Sequence, residues 1–218
     1  MRNVLIIPIT SDKGLCGAFN TNVLKASIID INKYFAEKDV TVMPMGKKAL
    51  DFYKKRNFKI IAEFSQVFSD VSFNNVKLAA EFVMKAYEEG TYDQVVMVYN
   101  EFKNVATQFV QVEQFLPIQK TKSEAGSSSS ETDYIVEPSK QFIIEELVPN
   151  SLKIQFYKAI LDSNASEHGA RMTAMDKATE NAGELLKELK LVYNRTRQAA
   201  ITNEILEIVA GAEALESN

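Results

Sequence analysis

The sequence of 218 residues has one cysteine, one histidine, no tryptophan, five prolines and eight glycines. With Cys16 alone there is no internal disulfide framework and no cysteine-rich zinc or iron–sulfur site, which fits a reducing compartment. A lone His168 likewise excludes a histidine-rich metal site. No apolar run approaches the roughly 20 residues needed to span a bilayer. The longest, residues 4–9, is interrupted by Pro8. The start has no basic region followed by an apolar core and cleavage site, so it reads as neither a signal peptide nor an anchor. Charge of neither sign dominates: 25 Lys+Arg against 29 Asp+Glu give −4, with no global case for nucleic acid or an anionic membrane as partner.

What is present is a hydrophobic fraction of 46% and clear periodicity. Residues 3–10 (NVLIIPIT) form a near-continuous Val/Ile-rich run, which predicts a strand covered on both faces. Residues 19–36 carry Val23, Leu24, Ile28, Ile31 and Phe35 at spacings of three and four, the mark of an amphipathic helix. Strand (41–45), helix (47–56), strand (58–64), helix (74–89, ended by Gly90) and strand (93–100) follow. Alternating strands and helices predict an α/β, Rossmann-like, mostly parallel sheet. Residues 107–115 (TQFVQVEQF) alternate with period two, predicting an antiparallel edge strand in a hairpin. Residues 120–133 are polar and Ser-rich, a surface loop that cannot bury a core. A short strand at 134–136 precedes Pro138.

From residue 139 onward the pattern is helical, with Pro149 as a kink or new start. A continuous helix over 151–215 would be roughly 95 Å long at 1.5 Å per residue, too long for its own domain. Its apolar seam runs Met172, Met175, Ala178, Ala182, Leu185, Leu189, Val192, Thr196, Ala199, Asn203, Leu206. This is a coiled-coil seam in need of a second helix. The expected organisation is therefore a foot domain over 1–138 and a C-terminal helical region over 139–218.

Candidate chemistry is sparse. The turn 11–20 (SDKGLCGAFN) lies between a buried strand and a helix, where α/β folds hold phosphate. Gly14 and Gly17 fit neither GxGxxG nor the P-loop spacing, so a structural turn made by Gly14, Cys16 and Gly17 is favoured. Gly14 is expected at positive φ. Cys16 lacks a plausible base and reads as a buried or half-buried thiol. His168 reads as a surface or interface residue, and the dispersed carboxylates form no paired-acid site. Between 171 and 200 the bases Arg171, Lys177, Lys187, Lys190, Arg195 and Arg197 slightly outnumber the acids, which suits an acidic protein partner better than nucleic acid. These features point to a mechanical or assembly subunit with no catalytic, cofactor or metal residues; a small Rossmann-like nucleotide-binding enzyme is the alternative.

Residues 11–20 and 165–215 (ASEHGARMTAMDKATENAGELLKELKLVYNRTRQAAITNEILEIVAGAEAL) closely resemble the gamma subunit family of F-type ATP synthases, the central rotor shaft. The YxxEP segment (Tyr134, Glu137, Pro138) falls in the family's order. The family begins with a long basic helix not seen here, so the resemblance implies a shortened chain whose seam awaits that N-terminal helix, with self-association while it stays uncovered. It also implies rotation inside a ring of alpha and beta subunits, coupling transmembrane proton flow to ATP synthesis or hydrolysis on beta. Further partners would be an epsilon-type subunit and the membrane ring of c subunits, peripherally on the cytoplasmic face of a bacterial inner membrane. By motif position Arg171, Gln198, Thr202 and Glu204 would contact beta, and Tyr134 and Glu137 the ring. The absence of cysteine from 120–133 sets the chain apart from the chloroplast members with a thiol switch there.

Overall fold

The structure, a computed structural model, describes residues 3–118, 137 and 139–216, the side chains of 214–216 apart. The expected loop at 120–133, the strand at 134–136 and Tyr134 lie outside the described residues. In chain order the elements are β1 (Asn3–Pro8), α1 (Phe19–Tyr34), β2 (Asp39–Val42), α2 (Lys47–Lys54), β3 (Lys59–Ile60), a 3-10 turn (Val67–Ser69), α3 (Phe73–Glu88), β4 (Gln94–Asn104), β5 (Thr107–Leu116), α4 (Lys140–Phe142), a π-helical turn (Ile143–Leu147) and α5 (Val148–Glu216).

The sheet order is β3-β2-β1-β4-β5. Strand β1 runs parallel to both β2 and β4, and β4 pairs antiparallel with β5, as the alternation predicts. The central position of β1 follows from its sequence. Val4 and Ile6 face one core with Val23, Leu24 and Ile31 of α1 and Tyr53 of α2. Leu5, Ile7 and Ile9 face the other with Val76, Ala80 and Val83 of α3 and with Phe156 and Ile160 of α5. All five β1-segment side chains are fully buried, each contributing about 1.5–3 kcal/mol of burial.

Besides end shifts of one to three residues, such as β2 at Asp39–Val42 where 41–45 was expected, three departures from the pattern have a structural reason. Strand β3 shrinks to two paired residues, because Phe64 turns inward to pack at 5.4 Å on Phe82 of α3 instead of extending the edge. Strand β4 runs on to Asn104, whose Oδ1 accepts from the backbone N–H of Ala106 (3.1 Å) and Thr107 (2.7 Å) and closes the hairpin. Pro149 lies in the first turn of α5 directly after the π turn; lacking an N–H and crowding the preceding carbonyl, proline is compatible with such a register change.

Two compact units are present, Met1–Thr173 and Ala174–Asn218. The first takes in the start of α5 because Phe156, Ala159 and Ile160 are core residues, Phe156 meeting Phe115 edge-on at 5.5 Å. In the second, every residue of α5 whose side chain is described is exposed, Ala174 alone excepted.

Candidate functional site

The turn after β1 is held by its own polar side chains. The Ser11 N–H donates to Asn20 Oδ1 (2.9 Å), and Asn20 Nδ2 donates to Cys16 Sγ (3.1 Å). Cys16 is 2% exposed. This buried thiol accepts a hydrogen bond and packs, as the sequence reading expects. Asp12 Oδ1 accepts from the Lys47 N–H (2.8 Å), joining the turn to the start of α2. One expectation fails: Gly14 is not at positive φ. The left-handed positions are Leu15 (φ 63°) and Gly17 (φ 57°). The strain falls on a leucine that is 78% exposed, where an unusual backbone does not drive an apolar side chain into a clash.

A glycine that the motif reading passed over carries a larger constraint. Gly46, before α2, has φ 102°, and a Cβ there would lie 2.1 Å from the Thr10 carbonyl oxygen. Thr10 Oγ1 in turn accepts from the Ala49 N–H (2.9 Å), so the residue after β1 that crowds Gly46 also ties down the first turn of α2.

In open α/β sheets, ligands bind beyond the carboxyl ends of the strands where the strand order reverses, here between β1 and β4. That place is taken by the chain itself. Ser166 of α5 is fully buried and donates to the Asn100 carbonyl (3.1 Å); Asn100 Nδ2 donates to the Phe19 carbonyl (3.3 Å). Glu167, 8% exposed, pairs with Arg171 at 2.6 Å, and Arg171 Nη2 donates to the Gly14 carbonyl (3.3 Å). The turn therefore presents a carbonyl to an internal guanidinium at the position where a nucleotide would need donors. The nucleotide-binding alternative is not favoured.

Of the residues expected at a site, Arg171 thus lies against the turn of Gly14, Cys16 and Gly17. Gln198, Thr202 and Glu204 are exposed in the second unit, Glu137 is exposed, and His168 is exposed on α5. Seam residues Met172, Leu185, Leu189, Val192 and Leu206 are 52–59% exposed. The seam is only part of the apolar surface. Leu186, Tyr193, Ile201, Ile205 and Ile208 are 48–72% exposed and, at 100° per residue, stand on other sides of the helix. Counting steps of three and four along one line missed them; a helical projection of all apolar residues would have found them. A helix apolar on most sides is built to be surrounded.

A polar groove of about 480 Å³ borders β5, lined by Tyr99, Glu101, Gln111, Glu113, Ile118 and Gln155 among others. Glu113 accepts from Tyr99 Oη (2.9 Å) and from Gln155 Nε2 (2.6 Å). Burial and the Glu113 carboxylate hold the Tyr99 phenol well above its usual range. Nearby Asp162 is pushed up by burial, with Glu101 adding to and Lys158 opposing the shift. The groove offers hydrogen-bonding side chains. Among the described residues no cluster of three His, Cys, Asp or Glu could hold a metal ion, and no helix is long and apolar enough to cross a membrane.

A compact α/β unit whose β1–β4 crevice is closed by α5 thus continues into a helical unit with exposed apolar residues on most sides, the surface of a protein that associates with others. The ATP synthase family profile matches residues 1–215. The chain is 55% identical to the ATP synthase gamma chain of Cytophaga hutchinsonii, covering 100% of this chain and 75% of that one. It is 53% identical to that of Christiangramia forsetii, covering 99% and 74%. Its fold matches a chain in the Euglena gracilis mitochondrial ATP synthase OSCP/F1/c-ring structure with a TM-score of 0.72 at 22% identity, over 99% of this chain and 74% of that one. The chain belongs to the ATP synthase gamma chain family.

Proposed function

We propose that the chain serves as a non-catalytic shaft, turning within a ring of alternating alpha and beta subunits and coupling transmembrane proton flow to ATP synthesis or hydrolysis on beta. The observation that carries this reading is the spread of exposed apolar residues over most sides of α5 beyond Thr173. Left in water, such a surface drives association; enclosed by a second helix and by a surrounding ring, it becomes a bearing. Gln198, Thr202 and Glu204 would then make polar contacts to beta that change with rotation angle, and Arg171 would contribute at the lower end of that surface. Glu137 and Tyr134 would meet the membrane ring of c subunits, with an epsilon-type subunit beside the base. The assignment of residues 1–138 as foot and 139–218 as shaft belongs to the same reading. So does a peripheral position on the cytoplasmic face of a bacterial inner membrane.

The test is reconstitution of this chain with alpha and beta subunits, with and without a synthetic helix of the family's N-terminal sequence. ATP hydrolysis by a complex containing the chain, strengthened by the added helix, is the expected result. A chain that ignores alpha and beta under both conditions would overturn the reading.

A further inference from the structure

Building on the shaft reading, we propose that residues 166–173 of α5 form the torque joint of the subunit, a collar in which the hairpin β4–β5 and the turn after β1 grip the helix from two sides so that it cannot roll on its base.

The grips are chemically different. On one side stand Ser166, Gly169 and Thr173. Ser166 Oγ donates to the Asn100 carbonyl (3.1 Å); the Thr173 hydroxyl donates to the Gly169 carbonyl of its own helix (3.1 Å) and lies 3.4 Å from the Val105 carbonyl, sharing one proton between the two. Between them Gly169 lies so close to the hairpin that a Cβ would meet Val105 Cα and O at 3.3 Å each. A glycine inside a helix is destabilising relative to alanine, a loss here matched to close backbone approach. Gln108 Nε2 donates to the same Val105 carbonyl (2.8 Å), steadying the hairpin tip. On the other side Glu167 holds Arg171, whose guanidinium reaches the Gly14 carbonyl. The Ser11–Asn20–Cys16 bonds make that turn a stiff abutment.

Angles decide what this does. At 100° per residue, Ser166, Gly169 and Thr173 fall within about 60° of one another, while Glu167 and Arg171 centre roughly 150° away. A helix touched along one line can pivot about it. Gripped at two places so far apart, it transmits twist. The collar also ends at Thr173, the last residue of the compact unit. Glu167, nearly buried, is thus a positioning residue that acts through Arg171.

The test uses assembled ATP synthase carrying this chain in inverted membrane vesicles, comparing Glu167→Gln and Gly169→Leu with the parent. Proton pumping per ATP hydrolysed and single-molecule torsional stiffness are the readouts, with the melting temperature of the chain as control. Expected is at least a twofold fall in stiffness and in pumping per ATP for Glu167→Gln, with hydrolysis within twofold of the parent and the melting temperature little changed. In an Arg171→Ala background the Glu167→Gln effect should vanish, since both act through one contact. Gly169→Leu should show a larger loss; if it does not assemble, the Glu167→Gln series decides alone. Unchanged stiffness and coupling in Glu167→Gln would overturn the collar. Failure of the parent chain to support hydrolysis would instead strike the shaft reading beneath it.

Discussion

Two truncations on one helix should differ several-fold in cost, because α5 is core at one end and bare at the other. Phe156 is fully buried and packs edge-on against Phe115. Phe156→Ala loses its burial and leaves a cavity, about 3–5 kcal/mol, with the aromatic pair at the upper end. Leu189 is 56% exposed in the chain alone, so less than half of a leucine's burial is at stake. Leu189→Ala should cost at most about 1 kcal/mol. With no tryptophan present, tyrosine fluorescence measured in a Tyr193→Phe background reports the first unit, because Tyr193 is the one tyrosine of the second, and circular dichroism at the helical band reports both. At a urea slope of about 2 kcal/mol per molar, Phe156→Ala should move the fluorescence midpoint by about 2 M and Leu189→Ala by almost nothing. Adding a helix that covers the seam should raise the Leu189→Ala cost to about 2–5 kcal/mol. If Leu189→Ala were as costly as Phe156→Ala in the isolated chain, the seam would already be covered, by a second copy or by the chain itself, and the open-shaft reasoning would fail.

Gly46→Ala should cost at least about 3 kcal/mol, combining a backbone conformation reserved for glycine with overlap on the Thr10 carbonyl. Gly17→Ala, also at positive φ but with open space around its Cβ, should cost only about 1–2 kcal/mol; equal urea midpoints for the two would refute the steric argument. Alkaline titration gives an independent check. Burial raises the Tyr53 phenol from about 10 to about 12, partly offset by its hydrogen bond with Ser27 and by Arg56. Because the folded value is the higher one, this contribution is complete below pH 10 and is lost as pH climbs toward 12, about 2–3 kcal/mol in all. Tyr53→Phe should flatten stability across that window, leaving the slope due to Tyr99; an unchanged slope would show that Tyr53 is not the group responsible.

Periodicity made the sheet legible. A six-residue apolar run at residues 4–9 has one low-energy place in an α/β fold, the doubly covered centre, and β1 occupies it. Period-two alternation likewise marked β5 as an antiparallel partner. Positive φ was assigned to the wrong residue of the turn, because Gly14, Leu15 and Gly17 offer several local solutions and contacts made elsewhere select among them. The importance of Gly46 was invisible in one dimension, since the atom that excludes a side chain there belongs to Thr10, far back along the chain.

The sequence by itself determined the alternation of strands and helices, the unbroken terminal helix with its exposed seam, and, through the residues around Arg171, the family. These are local properties: hydrophobic period, helix propensity and motif spacing act over a few turns of chain. Only the tertiary structure decided that the ligand crevice between β1 and β4 is filled by Ser166, Glu167 and Arg171, and that Gly169 sits against the hairpin. Those contacts join residues 66 and 157 positions apart, and no local rule fixes them; they exist because the buried base of α5 sets the helix onto the sheet and brings its next two turns to the turn and the hairpin.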